Sequence, residues 1–246
     1  MNENDLQRLA DMIRESESTV FFGGAGVSTE SGMKDFRSED GIYNTVTEYH
    51  VPPETILSHT FFCRHTDVFY DFYYRYCLEG DVSPNRAHLA LAKLEQMGKL
   101  DAVITQNIDG LHQRAGSRRV IELHGSVLRN HCTACGKPVS VDEVRAAAGG
   151  VPRCACGGVV KPDVVLYEEP LDEDAITGAI DAISRADLLI IGGTSLAVYP
   201  AAGFIRYFRG ANTVLINRGE TDFDSRATLV FRDSIGEVLE RCVAMV

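Results

Sequence analysis

Apolar residues along this chain recur with two periods, and the switches between them mark out the elements. Leu6, Leu9, Ala10 and Ile13 share one helical face, which predicts an amphipathic helix over Asn4 to Glu17. Thr19 to Phe22 is a short β-rich run entering Gly23-Gly24-Ala25-Gly26, so a strand is expected to feed a glycine-rich loop and a helix. Asp35 to Pro53 has weak periodicity and several turn formers, the pattern of a long, lid-like loop. Phe61 to Leu78 is aromatic-rich and reads as a helix packed on the core. Asn85 to Met97 reads as another helix, with Leu89, Leu91 and Leu94 among its apolar positions. Leu100 to Ile104 is an apolar run, interrupted by Asp101, that reads as a buried parallel strand, and Arg119 to Leu123 is a second short strand. Periodicity fades over Val127 to Val160 and then resumes. Val164 to Tyr167, Asp187 to Ile191 and Thr213 to Asn217 read as strands; Glu173 to Arg185, Ala201 to Phe208 and Ile235 to Cys242 read as helices. Strands alternating with helices predict an α/β fold around a parallel sheet.

Composition narrows the class. The 246 residues suit one large domain or a domain with a smaller insert, and 45% apolar content is ample for a core. No apolar run approaches the roughly 20 residues that span a bilayer, and Met1 to Glu17 is too charged for a signal peptide, so a cytoplasmic protein without a membrane partner is expected. A net charge of −11 argues against binding nucleic acid along its backbone and suits a basic partner such as a lysine-containing peptide. Seven cysteines, an odd number, with four clustered, do not form a secreted disulfide framework and point to a reducing compartment.

The clustered four carry the sharpest signal. Cys132-x-x-Cys135 is followed by Cys154-x-Cys156, two close thiolate pairs that fit tetrahedral zinc. Four sulfurs leave no open position for a substrate, so the site is structural, and the segment around it is an insert held by metal rather than by a core. Elsewhere, polar residues crowd the ends of the predicted strands, where open α/β sheets bind ligands. Gly24-Ala25-Gly26-Val27-Ser28-Thr29 suits a pyrophosphate, since glycines admit close approach and a helix start offers N–H groups; a plain tight turn explains the loop equally well. Gly193-Thr194-Ser195 and Asn217-Arg218-Gly219-Glu220 suit a ribose or an adenine, and three such ends on one rim are harder to dismiss than one. The richest end is Thr105-Gln106-Asn107-Ile108-Asp109-Gly110-Leu111-His112, beside a strand that ends in His124-Gly125. His124 is the candidate general base, because imidazole chemistry suits proton transfer near neutral pH; His112 is its rival.

With these residues in hand, the chain resembles the sirtuins (the Sir2 family), NAD-dependent protein lysine deacylases, and among them the compact bacterial members. The matching segments are Gly24 to Gly32, Asp35-Phe36-Arg37, Thr105 to His112, Glu122 to Gly125, the paired cysteines, Lys161-Pro162-Asp163-Val164-Val165 and Gly193 to Leu196, in family order. The resemblance implies a Rossmann-like large domain of about 1–35, 79–127 and 160–246. It also implies a small domain, with a helical module of about 36–78 and a zinc module of about 128–159. It places NAD between them, with Gly24, Ala25, Gly26, Thr29, Phe36 and Arg37 at the cofactor loop and Gln106, Asn107, Ile108 and Asp109 around the nicotinamide ribose. Gly193, Thr194, Ser195, Asn217 and Ile235 would hold the adenosine end. His124 and Asn107 would be catalytic, and Val164, Val165, Leu166 and Tyr167 would pair with an acyl-lysine peptide as an added strand.

The implied chemistry is attack of the acyl oxygen on the ribose as nicotinamide leaves, followed by His124 acting as base on a ribose hydroxyl. The products are free lysine and O-acetyl-ADP-ribose. Three departures stand out. Met33-Lys34 replaces the usual Ile-Pro, which is expected to loosen the loop and put a positive charge near nicotinamide. Tyr167-Glu168-Glu169 replaces Phe-Gly-Glu. Phe72-x-x-Arg75 replaces the Tyr-x-x-Arg of succinyl-preferring members, which favours acetyl and other uncharged acyl groups. Two other functions stay open at this point: ADP-ribosyl transfer from the same activated ribose, and a zinc-ribbon interaction protein with weak catalysis. Oligomeric state is not legible.

Overall fold

The computed structural model describes residues 1–35, 41–45, 48–78 and 82–246. The chain begins with α1 (Glu3–Glu15), whose Leu6, Leu9, Ala10 and Ile13 are all buried, and then β1 (Thr19–Gly23). Four short helices follow: α2 (Ile42–Thr45), α3 (Pro53–Ile56), α4 (His59–Arg64) and α5 (Thr66–Tyr76). The aromatic segment is thus broken at His65, whose φ of −136° and ψ of 51° leave the helical region. α6 (Arg86–Gln96), β2 (Ala102–Thr105), α7 (Leu111–Arg114) and β3 (Val120–Glu122) come next. On α6 the buried face is Ala87, His88, Ala90, Leu91, Ala92 and Leu94, whereas Leu89, expected inside, is 53% exposed.

β4 (Gly125–Cys132), β5 (Pro138–Ser140), α8 (Val141–Ala146) and β6 (Val160–Val164) form the cysteine-bearing region. The remainder runs α9 (Glu173–Arg185), β7 (Leu188–Gly192), β8 (Asn212–Ile216), β9 (Leu229–Phe231) and α10 (Ile235–Val243). Ala201–Tyr207, expected as a helix, is helical but wound in the tighter 3₁₀ form.

Six strands make one parallel sheet in the order β3-β2-β1-β7-β8-β9. This is a Rossmann-like sheet, and β1 and β7 are buried along their whole length, as unbroken apolar runs require. One face is covered by α1, α6 and α10 through Leu9, Leu91 and Leu239; the other by α9 and the 3₁₀ segment through Ile183 and Phe204. A second, antiparallel sheet has the order β5-β4-β6. Its Val127, Val160 and Val164 share a separate apolar cluster with Phe69, Tyr70, Phe72 and Tyr73 of α5. The chain is therefore an α/β protein with a parallel sheet and a smaller unit of helices and a cysteine-bearing sheet. No helix of the described residues is long and apolar enough to cross a membrane.

Candidate active site

The order of the parallel sheet reverses between β1 and β7, and a crevice opens where the loops after these two strands part. The loops touch backbone to backbone. The Gly26 N–H donates to the Gly193 carbonyl at 2.8 Å. A Cβ on Gly26 would lie 2.8 Å from Gly193 Cα, and one on Gly24 would lie 2.9 Å from Thr194 Cβ. Side chains are excluded at both positions, which leaves a cradle lined by peptide groups.

The segment after β1 is not the α-helix expected from sequence but two 3₁₀ turns, Ala25–Val27 and Thr29–Ser31. The cause is a competing partner. Asn85 at the start of α6 donates its amide to the Val27 carbonyl at 2.7 Å and to Ser31 Oγ at 3.0 Å. That carbonyl is the acceptor an α-helix would have used internally, so the turn tightens instead.

A cavity of about 690 Å³ runs from this cradle toward the small sheet. Gly24, Ala25, Gly26 and Thr29 line it from β1, Gly193, Thr194 and Ser195 from β7, Asn217 from β8 and Ile235 from α10. Gln106, Asn107 and Ile108 line it from the end of β2, and His124 from the end of β3. Phe36 and Arg37 lie outside the described residues. Lys34 is exposed and is not among the residues that line the cavity.

His124 is set by its neighbours in sequence and space. Gly125 adopts φ +72°, and a Cβ there would come within 1.8 Å of the Asp163 carbonyl, so only glycine can turn the chain from one sheet into the other directly after the histidine. His124 Nδ1 lies 3.0 Å from the Gln106 carbonyl. A carbonyl only accepts, so Nδ1 carries the proton and Nε2 keeps its lone pair. Burial lowers the imidazole pKa, opposed by the Gln106 bond, and holds the ring neutral at pH 7.

His112 has a different setting. It is buried against Phe21 and against the His88 ring, 4.7 Å away, and burial lowers it to about 3. Its two ring nitrogens have no partner among the described residues, and it does not line the cavity. It braces the loop and is not placed to act as a base.

The amides beside His124 are fixed by a short chain of bonds. Gln106 Nε2 donates to Thr194 Oγ1 at 3.1 Å, joining the ends of β2 and β7 across β1. Asn107 Nδ2 donates to Ser28 Oγ at 3.0 Å, and Ser28 donates to Asp109 at 2.7 Å. The Asp109 carboxylate also accepts the Leu111 N–H at 2.8 Å and sits one layer behind the cavity wall.

The expected substrate segment differs in part from expectation. The strand is β6, ending at Val164; Val165 and Leu166 continue without a ladder, and Tyr167 makes an isolated bridge to Ser58. The N–H groups of Val165 and Tyr167 donate to the carbonyls of His124 and Leu57, and that of Leu166 to the Glu169 carboxylate. The Val164, Leu166 and Tyr167 carbonyls accept from Lys161 Nζ and from the Glu169 and His59 N–H groups, so the segment offers a peptide its side chains and chiefly the Val165 carbonyl. All four residues line the cavity.

With this geometry in place the comparisons are decisive. The family model described as "Sir2 family" matches residues 24–200. The chain belongs to the Sir2 family. It is 56% identical to an NAD-dependent protein deacetylase of Clostridium perfringens over 98% of this chain and 99% of that protein. It is 55% identical to one of Clostridium acetobutylicum over 97% and 98%. A solved structure described as "Structural Basis for the Mechanism and Regulation of Sir2 Enzymes" superposes with a TM-score of 0.90 at 38% identity, covering 99% of this chain and 98% of that one. A complex described as "Sir2-p53 peptide-NAD+" superposes at 0.82 with 40% identity, covering 97% of each chain.

The four cysteines fit the zinc of this Sir2 chain. Their sulfurs all lie within 4.8 Å of one another, with Cys132 3.5 Å from Cys156 and Cys135 3.8 Å from Cys154. Tetrahedral Zn–S bonds of about 2.3 Å require sulfurs about 3.8 Å apart. A Cβ at Gly158 would stand 2.6 Å from Cys132 Sγ, so the knuckle around the sulfurs depends on that glycine.

Several residues that hold this site escaped the sequence reading. Ser28 was quoted within a motif and given no role, and Asn85 and Glu30 were not singled out. Glu30 accepts from Ser234 at 2.5 Å, from the Gly236 N–H at 2.9 Å and from Arg86 at 3.2 Å, tying the cofactor loop to α10 and α6. The signal for Asn85 was legible: an N-cap asparagine before an apolar-periodic run.

Proposed function

We propose that the cavity carries out NAD-dependent removal of acyl groups from protein lysines, with His124 as the general base. The chain is an NAD-dependent protein deacylase that transfers the acyl group to ADP-ribose and contains structural zinc. The observation that carries the assignment of the base is the 3.0 Å bond from His124 Nδ1 to the Gln106 carbonyl, which leaves a neutral Nε2 at the cavity wall.

NAD, as co-substrate, supplies an activated ribose carbon and releases nicotinamide. The chain's own residues do the rest. The glycine cradle at Gly24, Gly26 and Gly193 offers peptide groups to the pyrophosphate. Asn217 and Ser195 face the adenosine end, and Ile235 packs beside it. Asn107, aligned by Ser28 and Asp109, orients the ribose and the carboxamide. His124 Nε2 takes the proton of a ribose hydroxyl, which frees its oxygen to attack the acyl carbon. The peptide lies along Val164 to Tyr167. In this reading residues of about 1–35, 79–127 and 160–246 hold the dinucleotide and about 36–78 and 128–159 form the smaller unit, with β4 and β6 crossing that division to build the small sheet. A substrate recognised as an acylated lysine in a basic protein surface agrees with the charge of −11, and a location in the cytoplasm agrees with seven cysteines that form no disulfide.

The test is His124→Ala assayed with an acetyl-lysine peptide and NAD. Deacetylation is expected to fall by about 10²-fold or more, the contribution typical of a positioned base. Nicotinamide release should fall less, since it precedes the base-dependent step. Undiminished deacetylation would remove His124 from the role. A peptide that gains ADP-ribose in place of losing acetyl would establish the transferase alternative.

A further inference from the structure

The seven cysteines are all free thiols, and the surroundings of six of them settle what they do. Cys132, Cys135, Cys154 and Cys156 face one another at the zinc site. Cys77 and Cys242 are buried, and burial pushes each thiol up to about 12, which keeps both inert. Cys63 is the exception. It is exposed on α4, outside the cysteine cluster and outside the cavity wall.

Its partners form an ordered chain. One helical turn earlier, His59 places Nε2 3.5 Å from Cys63 Sγ. His59 Nδ1 lies 2.8 Å from Glu169 Oε1. The other Glu169 oxygen accepts from Lys161 Nζ at 3.0 Å and from the Leu166 N–H at 2.9 Å, so the carboxylate is fixed in place. Burial raises the Glu169 pKa, but the Leu166 N–H, His59 and Lys161 outweigh it and hold the group below its ordinary 4.5. The group is therefore ionised at neutral pH and only accepts. His59 Nδ1 carries the proton, and the Nε2 lone pair faces the thiol. The other charges at this corner are Glu168, which accepts the Thr60 N–H at 2.9 Å, and Arg64, whose charge acts on Glu168. A nucleophile within reach of a base, with the base oriented by a third group, is the arrangement of an activated nucleophile.

We propose that Cys63 is a thiol–disulfide exchange site for low-molecular-weight disulfides, with His59 as its base. His59 Nε2 takes the thiol proton. The Cys63 sulfur bonds to one sulfur of the disulfide, the S–S bond breaks, and the second sulfur leaves as a thiolate that collects the proton from His59. Cys63 is oxidised to a mixed disulfide, and the released half of the reagent is reduced to a thiol. Attack by another small thiol reverses the step. The site is independent of the deacylase reading, since neither Cys63 nor His59 lines the cavity.

The test uses the zinc-loaded full chain and 2-hydroxyethyl disulfide, with the adduct on each cysteine followed by peptide mass mapping. An isolated thiol is about 3% thiolate at pH 7, so a base gains at most about thirtyfold, and part of that is returned because a more acidic thiolate is a weaker nucleophile. Cys63 should therefore react about three- to tenfold faster in the wild type than in His59→Gln at pH 7. At pH 9, where an isolated thiol ionises unaided, the ratio should fall to one or below. His59 is half-exposed, and the variant should melt with the wild type. Equal rates at pH 7 would overturn the proposal. So would a gap that persists at pH 9, which would mean that His59 only shapes access. Labelling of Cys77 as fast as Cys63 would overturn it too, because reaction would then follow opening of the fold.

Discussion

Glu30→Gln tests whether the cofactor loop is held by its tie to α10. The carboxylate is 16% exposed and caps the N-terminus of α10 from across the molecule, accepting the Gly236 N–H and the Ser234 hydroxyl. Gly236 is glycine for this reason: a Cβ would lie 2.4 Å from the Glu30 oxygen. Two hydrogen bonds to a charged acceptor contribute about 1.5–3 kcal/mol each. The pair with exposed Arg86 adds little, because water screens it. Glutamine keeps a neutral carbonyl for Gly236 but loses the charge, so the net loss is about 2 kcal/mol. For a chain of this size that lowers the thermal midpoint by about 4–8 °C.

The same carboxylate fixes the pH dependence of that loss. Burial by itself raises its pKa, but Ser234, Gly236 and Arg86 together lower it below the ordinary 4.5. A carboxyl with a lowered folded value gives stability that is complete above the unfolded value and lost as pH falls through the folded one. The gap between wild type and Glu30→Gln should therefore be constant from pH 6 to 8 and close below about pH 4.5. Paired melts across that range read both quantities. Equal midpoints at pH 7, or a gap that persists undiminished at pH 3.5, would refute the cap.

The remaining predictions concern the site and its frame. Because burial lowers the His124 imidazole below 6.5, kcat/KM should be flat from neutral pH down to about 6.5 and fall only in more acidic buffer; an acid limb centred above pH 7 would contradict a buried neutral base. Cys156→Ser should drop bound zinc from about one per chain toward zero by elemental analysis and lower the melting point, and a full complement of zinc would show that the thiolate is not a ligand. Gly125→Ala must push a Cβ off the Asp163 carbonyl, 1.8 Å away, at φ +72°, so a loss of more than about 3 kcal/mol of stability or a failure to fold is expected in urea titration; near-normal stability would mean the turn between the sheets is softer than described.

How much of this was legible depends on what each residue answers to. β1, β2, β7 and β8 were read from short, largely apolar runs because burial on both faces dictates such runs. α9 was read at its true bounds because Asp172 caps it and three buried positions keep helical spacing. β6 was misplaced because Pro162 argues against a strand. It is tolerated since β6 is an edge of its sheet and the ladder shifts register between Ser126 and Asn130. β5, α8 and β9 were missed because short elements carry too few residues to show a period. His124 and the four cysteines were found because their chemistry is local. Ser28 and Glu30 were not, because their work is done on partners 56 to 206 positions away, and spacing along the chain carries no trace of that.

The position of the base explains why it sits at a joint. His124 directly precedes β4, separated from the last residue of β3 by Leu123, and its carbonyl accepts the Val165 N–H where the chain leaves β6. Both crossings between the sheets therefore meet at one residue. Its imidazole, however, is bonded to Gln106, which belongs to the end of β2 and is tied in turn to Thr194 after β7. The ring is thus fixed to the glycine loops and not to the small sheet. Tyr167, by contrast, bridges to Ser58 in the helical module. A substrate that shifts the smaller unit would move the peptide wall relative to an imidazole tied to the loops of the large sheet. Peptide fit and proton removal then rest on different parts of the fold, so changes in the peptide wall are expected to alter the ranking of peptides and the His124 variant to depress them all.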